Sequence, residues 1–438
     1  MARLPLEGIR VLEPGMIWAA PDSTEHLAAM GAEVIKIESL VRSERWTRGT
    51  PMGAFNQINR NKLDITLDLR KPQGAELFKR LVKISDVIVE NYSPRVMKNF
   101  GLDYPVLKEV KPDIIMVSAS GFGQWGQWGN YMGYGVLIEA ASGLMDLTGY
   151  ANDVPSRPTG TVAYSDLVVS YDIAFAVLTA LHYRQRTGKG QWIDLSQYEA
   201  FIAHHGEALM DYAMNGNVQK RIGNRDQSMA PHGCYQCKGN DKWVAIAVSS
   251  DEEWQALCNA LDNPPWTLEE RFSDSLSRWQ NQEDLDKLIE EWTSPREHYE
   301  VMHILQAVGV PAGAVLSAKD LLMDPHMKER GFWQQVTHPG DAEGDVPRLY
   351  LGPVVRLSKT PGSLLRPAPT LGRDNDLVLR GHLGLADEEI AKLAEEEVIG
   401  TEAPGVEETM LPIPPQLRLM MGQLVEYDEN YLELLDLK

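Results

Sequence analysis

Among the side chains whose types and spacing could carry chemistry, one aspartate and one glycine loop stand out. Asp166 follows Arg157-Pro158-Thr159-Gly160 and sits at the mouth of an apolar run from Leu167 to Leu181. A carboxylate in a helix's first turn is favoured by the helix dipole, so position alone reads it as a cap. Gly121-Phe122-Gly123-Gln124-Trp125-Gly126 fits the G-x-G-x-x-G spacing of a dinucleotide fingerprint. That fingerprint should open directly into a helix on the first strand of its domain, whereas here Gln127-Trp128-Gly129-Asn130 prolongs the loop. A glycine loop at a strand's C-terminal end is still where an open α/β sheet binds ligands. Cys234 and Cys237 have the spacing of a zinc or redox pair. No second pair accompanies them, and residues three apart on a strand point to opposite faces, so they read as packing cysteines. His204 and His205 are adjacent on an expected helix and diverge by about 100° around its axis, which is poor metal geometry. Neither G-x-S-x-G nor H-E-x-x-H is present.

The elements that must position these residues alternate. Strands are expected at 8–13 (GIRVLE), 32–38 (AEVIKIE), 63–69 (LDITLDL), 85–91 (SDVIVEN) and 113–120 (DIIMVSAS). Helices are expected after Asp22 or Ser23, over 71–83 and over 104–110. Strands alternating with helices imply a mostly parallel sheet covered on both faces, a Rossmann-like α/β domain. Beyond Gly121 the chain reads as helices near 134–147 and 164–186, a strand at 190–196 and a long helix through Tyr212. A smaller α+β domain follows over 225–330, opened by a hairpin around Gly239-Asn240 and continued by acid-rich helices. The domain plan is a large domain over 1–215, the small domain over 225–330, a linker and return to the large domain over 331–400, and an acidic C-terminal extension over 401–438.

The chain has 438 residues, with 42 Lys and Arg against 62 Asp and Glu, a net charge of −20. That balance argues against nucleic acid or an anionic membrane as the main partner, since both demand a cationic surface. The start, MARLPLEGIRVLEP, lacks a signal-peptide pattern. The Leu167 to Leu181 run is interrupted by Ser170, Tyr171, Asp172 and Thr179, and reads as a buried helix. Three cysteines, an odd number, suit a reducing compartment, so a cytoplasmic location is expected.

Several segments read together resemble one family, the class III CoA-transferases (CaiB/BaiF, formyl-CoA transferase-like). GIRVLEPGMIWAAPDSTEHLAAMGAEVIKIE is similar to the family's first strand, helix and second strand. NRNKLDITLDL resembles its step into the third strand, SDVIVENYSPRVMKNFGLDYPVL its coenzyme-contacting turn, and SASGFGQWG its glycine loop. RPTGTVAYSDLVVSYDIAFAVLTALHYRQRTGKGQWIDLS resembles its catalytic helix and following strand. The resemblance covers most of 5–200 and, more loosely, 224–250 and 300–400.

The resemblance implies an acyl-CoA transferase with Asp166 as nucleophile, working through an aspartyl anhydride and an aspartyl-CoA thioester. Coenzyme A enters as a substrate, with no permanently bound cofactor and no metal. The resemblance points to Asn91, Tyr92 and Arg95 for coenzyme contact; Lys36, Arg42, Arg45 and Lys98 are further candidates for its phosphates. Backbone N–H groups from Gly121 and Gly123 through Gly126 are candidates for oxyanion stabilisation. Partners are an acyl-CoA donor, a carboxylic acid acceptor and a second chain, in an interlocked homodimer or a heteromer with a homologous subunit.

Two departures bear on the substrate. Some family members carry a glutamine where this chain has Trp18, and an acid often follows the aromatic residue that is Tyr134 here, where Gly135 stands instead. Trp18 and Tyr134 are therefore assigned to the substrate pocket, and with Trp125, Trp128 and Tyr131 they suggest a bulkier or more apolar acid. The same fold hosts 2-methylacyl-CoA racemases and CoA-ester isomerases, but the racemase histidine would fall at Tyr134, and no histidine lies between His26 and His182. A non-catalytic subunit paired with an active homologue is the reading from another class.

Overall fold

The computed structural model of the chain describes residues 4–42, 44, 48, 53–151, 153–157, 162–338, 346–402 and 414–437. Arg45 and Pro158-Thr159-Gly160 lie outside the described residues, as does most of the first half of the acidic extension. The chain divides into two compact units, one of Met1–Leu144, Pro158–Met210 and His326–Lys438, the other of Met145–Arg157 and Asp211–Pro325.

In the first unit, β1 (Arg10–Glu13), β2 (Glu33–Glu38), β3 (Leu63–Thr66), β4 (Val87–Glu90), β5 (Ile115–Ser118) and β6 (Trp192–Asp194) form a wholly parallel sheet. Their order is β3-β2-β1-β4-β5-β6, so the winding reverses between β1 and β4. Side chains alternate across the sheet with period two, and both faces are covered. Leu12, Ile35, Ile88 and Met116 pack on one face with Leu77, Phe78 and Leu81 of the helix Pro72–Lys83. Val11, Val34, Val87 and Val117 pack on the other with Leu27 and with Val169, Ile173 and Val177 of the helix Tyr164–Thr187.

The LDITLDL stretch alternates apolar and polar residues, yet Asp64 and Asp68 are as buried as Leu63 and Ile65. The reason lies far along the chain. Asp64 accepts from Gly372 N at 2.6 Å and Arg48 Nη2 at 3.1 Å, while its own N–H donates to Asp374 Oδ2 at 2.9 Å. Thr66 N donates to Asn375 Oδ1 at 2.9 Å, and Asp68 N to Val398 O at 2.8 Å. A distant segment thus covers the unpaired edge of β3 and satisfies its polar groups.

The expected long helix through Tyr212 is two helices, Gln197–Ala203 and Glu207–Asn215. The break falls at His204-His205-Gly206, where glycine lowers helix stability. There His204 Nε2 meets Asp172 Oδ2 and His205 Nε2 meets Ser142 O, both at 3.0 Å.

The second unit carries a separate antiparallel sheet of His232–Gln236, Trp243–Ala247 and Ala312–Ala314, and its first two strands are the hairpin expected around Gly239-Asn240. Cys237 and Cys258 pack in its core beside Val244, Leu257 and Phe272. Cys234 is half-buried, and all three cysteines are free of disulfides.

Candidate active site

In an open parallel sheet, ligands bind beyond the strands' C-terminal ends where the winding reverses. A cavity of about 530 Å³ lies there, within the usual size range for small-molecule sites. Gly15 to Trp18 enter it from the end of β1, Ile37 to Ser39 from β2, Leu67 to Arg70 from β3, and Asn91 to Ser93 with Arg95 and Val96 from β4. Arg42, Glu44, Phe100, Met132 to Gly135, Asp166 and Gln197 also line it.

The turn after β4 is tied to the turn after β1 across the reversal. Asn91 Oδ1 accepts from Met16 N and Asn91 Nδ2 donates to Met16 O, both at 2.8 Å. The Tyr92 hydroxyl donates to Pro14 O at 2.5 Å, and Tyr92 N donates to Glu90 Oε2 at 2.8 Å. Both side chains line the cavity, but these polar groups shape its wall. Between Met16 and Trp18, Ile17 holds φ at 70°, a left-handed value costly for a β-branched residue.

Asp166 stands in the first turn of Tyr164–Thr187 and lines the cavity. Burial pushes it up to about 7, and nearby Glu139 and Asp22 push the same way. Glu139 is fully buried in the helix Gly135–Ala141 and accepts from the backbone N–H groups of Tyr164 and, at 3.5 Å, Ser165. Ser165 Oγ donates to Gly135 O at 2.9 Å. The two helix starts are thereby locked together, and Gly135 has no room for a side chain: a methyl there would collide with Ala163 and with the Asp166 carboxylate.

Other sequence-predicted residues fall in different places. Trp18, Tyr134, Arg42 and Arg95 join Asp166, Asn91 and Tyr92 around the cavity. Lys36 does not reach it. Its ammonium is wholly buried, bonded to Glu13 at 3.1 Å, Gly15 O at 3.2 Å and Glu44 at 2.6 Å. Lys98 is exposed and lies outside the lining. Gly121 and Gly123 also lie outside it. Gly121 backs directly onto Gly133, which does line the cavity, and Gly123 lines a separate cleft with Trp125, Trp128, Asp194 and Tyr198. The loop's return limb, not its first three glycines, faces Asp166.

Residues missed from sequence include Glu139, Arg70 and Gln197. An acid inside the apolar stretch VLIEAA was the signal for Glu139. Arg70 lines the cavity while bonding Asp68 at 2.9 and 2.8 Å. A basic residue just after a strand is too common to mark it in advance.

The profile of CoA-transferase family III matches residues 6–375. The succinyl-CoA–D-citramalate CoA-transferase of Chloroflexus aurantiacus is 34% identical over 402 residues, covering 90% of this chain and 98% of the relative. The alpha subunit of succinyl-CoA–L-malate CoA-transferase from Chloroflexus aurantiacus is 34% identical over 404 residues, with 91% and 93% covered. The crystal structure of a CaiB/BaiF family protein from Brucella suis superposes with a TM-score of 0.78 at 31% identity, covering 87% of this chain and all of that one. Together with a carboxylate facing a cleft at the sheet's reversal point, these matches make the chain a member of CoA-transferase family III, a transferase acting on CoA thioesters.

Proposed function

We propose that the enzyme moves coenzyme A between two carboxylic acids with Asp166 as nucleophile. The Asp166 carboxylate attacks the donor thioester carbonyl, forming a mixed anhydride and releasing CoA thiolate. The thiolate attacks the aspartyl carbonyl, giving an aspartyl-CoA thioester and the free donor carboxylate. The acceptor carboxylate then attacks that thioester, regenerating thiolate and forming a second anhydride. Thiolate attack on its acyl carbonyl yields the new acyl-CoA and restores Asp166. Every step exchanges one acyl bond for another, so the site must retain the thiolate and exclude water. The observation that carries this reading is Asp166 on the wall of the cavity at the β1/β4 reversal.

Arg42, Arg70 and Arg95 around the same cavity support anion binding for the coenzyme's phosphates. For the acids, relatives named for succinyl-CoA, citramalate and malate support short dicarboxylates over the bulkier or more apolar acid that the aromatic side chains suggested.

The enzyme is further proposed to work as an assembly, with itself or a homologous subunit. The side of Tyr164–Thr187 turned from the core exposes Tyr171, Phe175 and Leu178, and one relative is itself named a subunit. Three free cysteines support a cytoplasmic setting.

The test is Asp166→Ala assayed with succinyl-CoA and candidate hydroxy- and dicarboxylic acids, with CoA products read by mass spectrometry. Transfer should fall by on the order of 10⁴-fold or more, the scale of losing a nucleophile. Hydroxylamine added during wild-type turnover should label Asp166. Undiminished transfer in the variant would reject the mechanism.

A further inference from the structure

The segment that follows β2 reaches the cavity through Ser39, Arg42 and Glu44. Its two charged lining residues sit in opposite environments: Arg42 is exposed, whereas Glu44 is only 4% exposed. A bare carboxylate on the wall of a site for a polyanion would repel that ligand. Glu44 is not bare. Its Oε1 accepts from Lys36 Nζ at 2.6 Å, and the same ammonium donates to Glu13 Oε1 at 3.1 Å and to Gly15 O at 3.2 Å. Lys36 is wholly buried and lies behind the wall, where it grips two residues, Gly15 and Glu44, that do line the cavity. The segment is anchored a second time at Arg48. There Nε donates to Glu38 Oε2 at 2.9 Å, Nη2 to Asp64 Oδ2 at 3.1 Å and Nη1 to Pro369 O at 3.0 Å. Near the segment's start, Ser39 Oγ accepts from the N–H groups of Val41 and Arg42, both at 3.3 Å. Arg42 therefore stands between fixed points.

We propose that Glu44 is a positioning residue for coenzyme binding: by clasping the buried Lys36 it draws the segment after β2 against the cavity and presents Arg42 to the coenzyme's phosphates. The clasp does two things at once. It pairs the segment's acid with a lysine behind the wall, which offsets the repulsion that acid would exert on phosphates, and it leaves the Arg42 guanidinium as the charge facing solvent and ligand. It also fixes the backbone two residues from Arg42 before any ligand arrives, so less freedom is lost when phosphate is bound. Arg70, by contrast, is already bonded to Asp68 through two nitrogens.

The proposal rests on the cavity being the coenzyme site, and its test separates the two. The full-length wild type, Glu44→Ala, Arg42→Ala and the double variant are titrated with CoA by calorimetry. Each single change should weaken CoA binding on the order of tenfold, the scale of one hydrogen bond to a charged group. The double variant should bind little more weakly than Arg42→Ala, because Glu44 acts through Arg42. A carboxylate that merely faced the ligand would give the opposite sign, with Glu44→Ala binding CoA more tightly. Glu44→Asp keeps the charge but shortens the reach by one carbon; it should weaken binding in the same sense, and it replaces Glu44→Ala should that variant fail to fold. With succinyl-CoA as donor, the Glu44 variant should raise KM while kcat stays within about twofold. Unchanged or tighter CoA binding, a loss that adds in full to that of Arg42→Ala, or a fall in kcat at constant KM overturns the proposal and leaves the coenzyme site standing. A wild type that does not bind CoA overturns both.

Discussion

A methyl added at Gly135 would collide with both Ala163 and the Asp166 carboxylate, so the smallest substitution there reports on the site. Gly135→Ala should lower kcat by displacing the proposed nucleophile while destabilising the protein by about 1–3 kcal/mol, the cost of overpacking; thermal unfolding and steady-state kinetics measure the two effects. The acid form of Asp166 dictates a pH dependence. With the carboxyl raised to about 7, kcat/KM should rise with pH through that value as the proposed nucleophile ionises. Stability should move the other way. Folded Asp166 keeps a proton that the unfolded chain releases near 3.8, so ionisation costs stability as pH rises from that value toward 7. Asp166→Asn should therefore gain more in Tm over wild type at pH 8 than at pH 5, and an equal gain at both would show the carboxyl is not raised. From the sequence, Asp166 was legible through its motif, but its raised proton affinity was not, because Glu139 and Asp22 are 27 and 144 residues away along the chain.

At the scale of elements, strand composition and helix spacing already indicated most of the sheet. Lys36 shows where that reading stops. A lysine on a strand leading into a candidate phosphate site suggests coenzyme contact, yet its position on β2 turns it into the buried network of Glu13, Glu44 and Lys62. Burial opposes its charge, but the surrounding carboxylates outweigh it and raise its pKa. Lys36→Met should cost about 3–5 kcal/mol by leaving buried carboxylates without their cation. Denaturant unfolding would show this as a drop in midpoint. A folded variant of unchanged stability with a weakened KM for acyl-CoA would return Lys36 to the coenzyme site.

At the scale of the whole chain, the helix Tyr164–Thr187 is long and apolar enough to cross a membrane by length and composition. Of the helix read as buried from its composition, only one side is buried, against the sheet. The exposed Phe175 side predicts association. Light scattering of the purified protein should give a mass of at least twice the 49.0 kDa chain, and Phe175→Asp should weaken that association; a wild-type monomer at assay concentrations would refute it. What the sequence by itself determined is whatever depends on local order. Apolar runs on short strands, amphipathic helices and an ordered set of family motifs specify a parallel α/β sheet and point to Asp166. What only the tertiary structure decided depends on contacts between distant residues: Asp374 and Asn375 covering the edge of β3, Asn91 tying the turns after β1 and β4, and Gly133 bringing the return limb of its loop to the cavity. Those pairings are set by packing over tens to hundreds of residues, which no local pattern encodes.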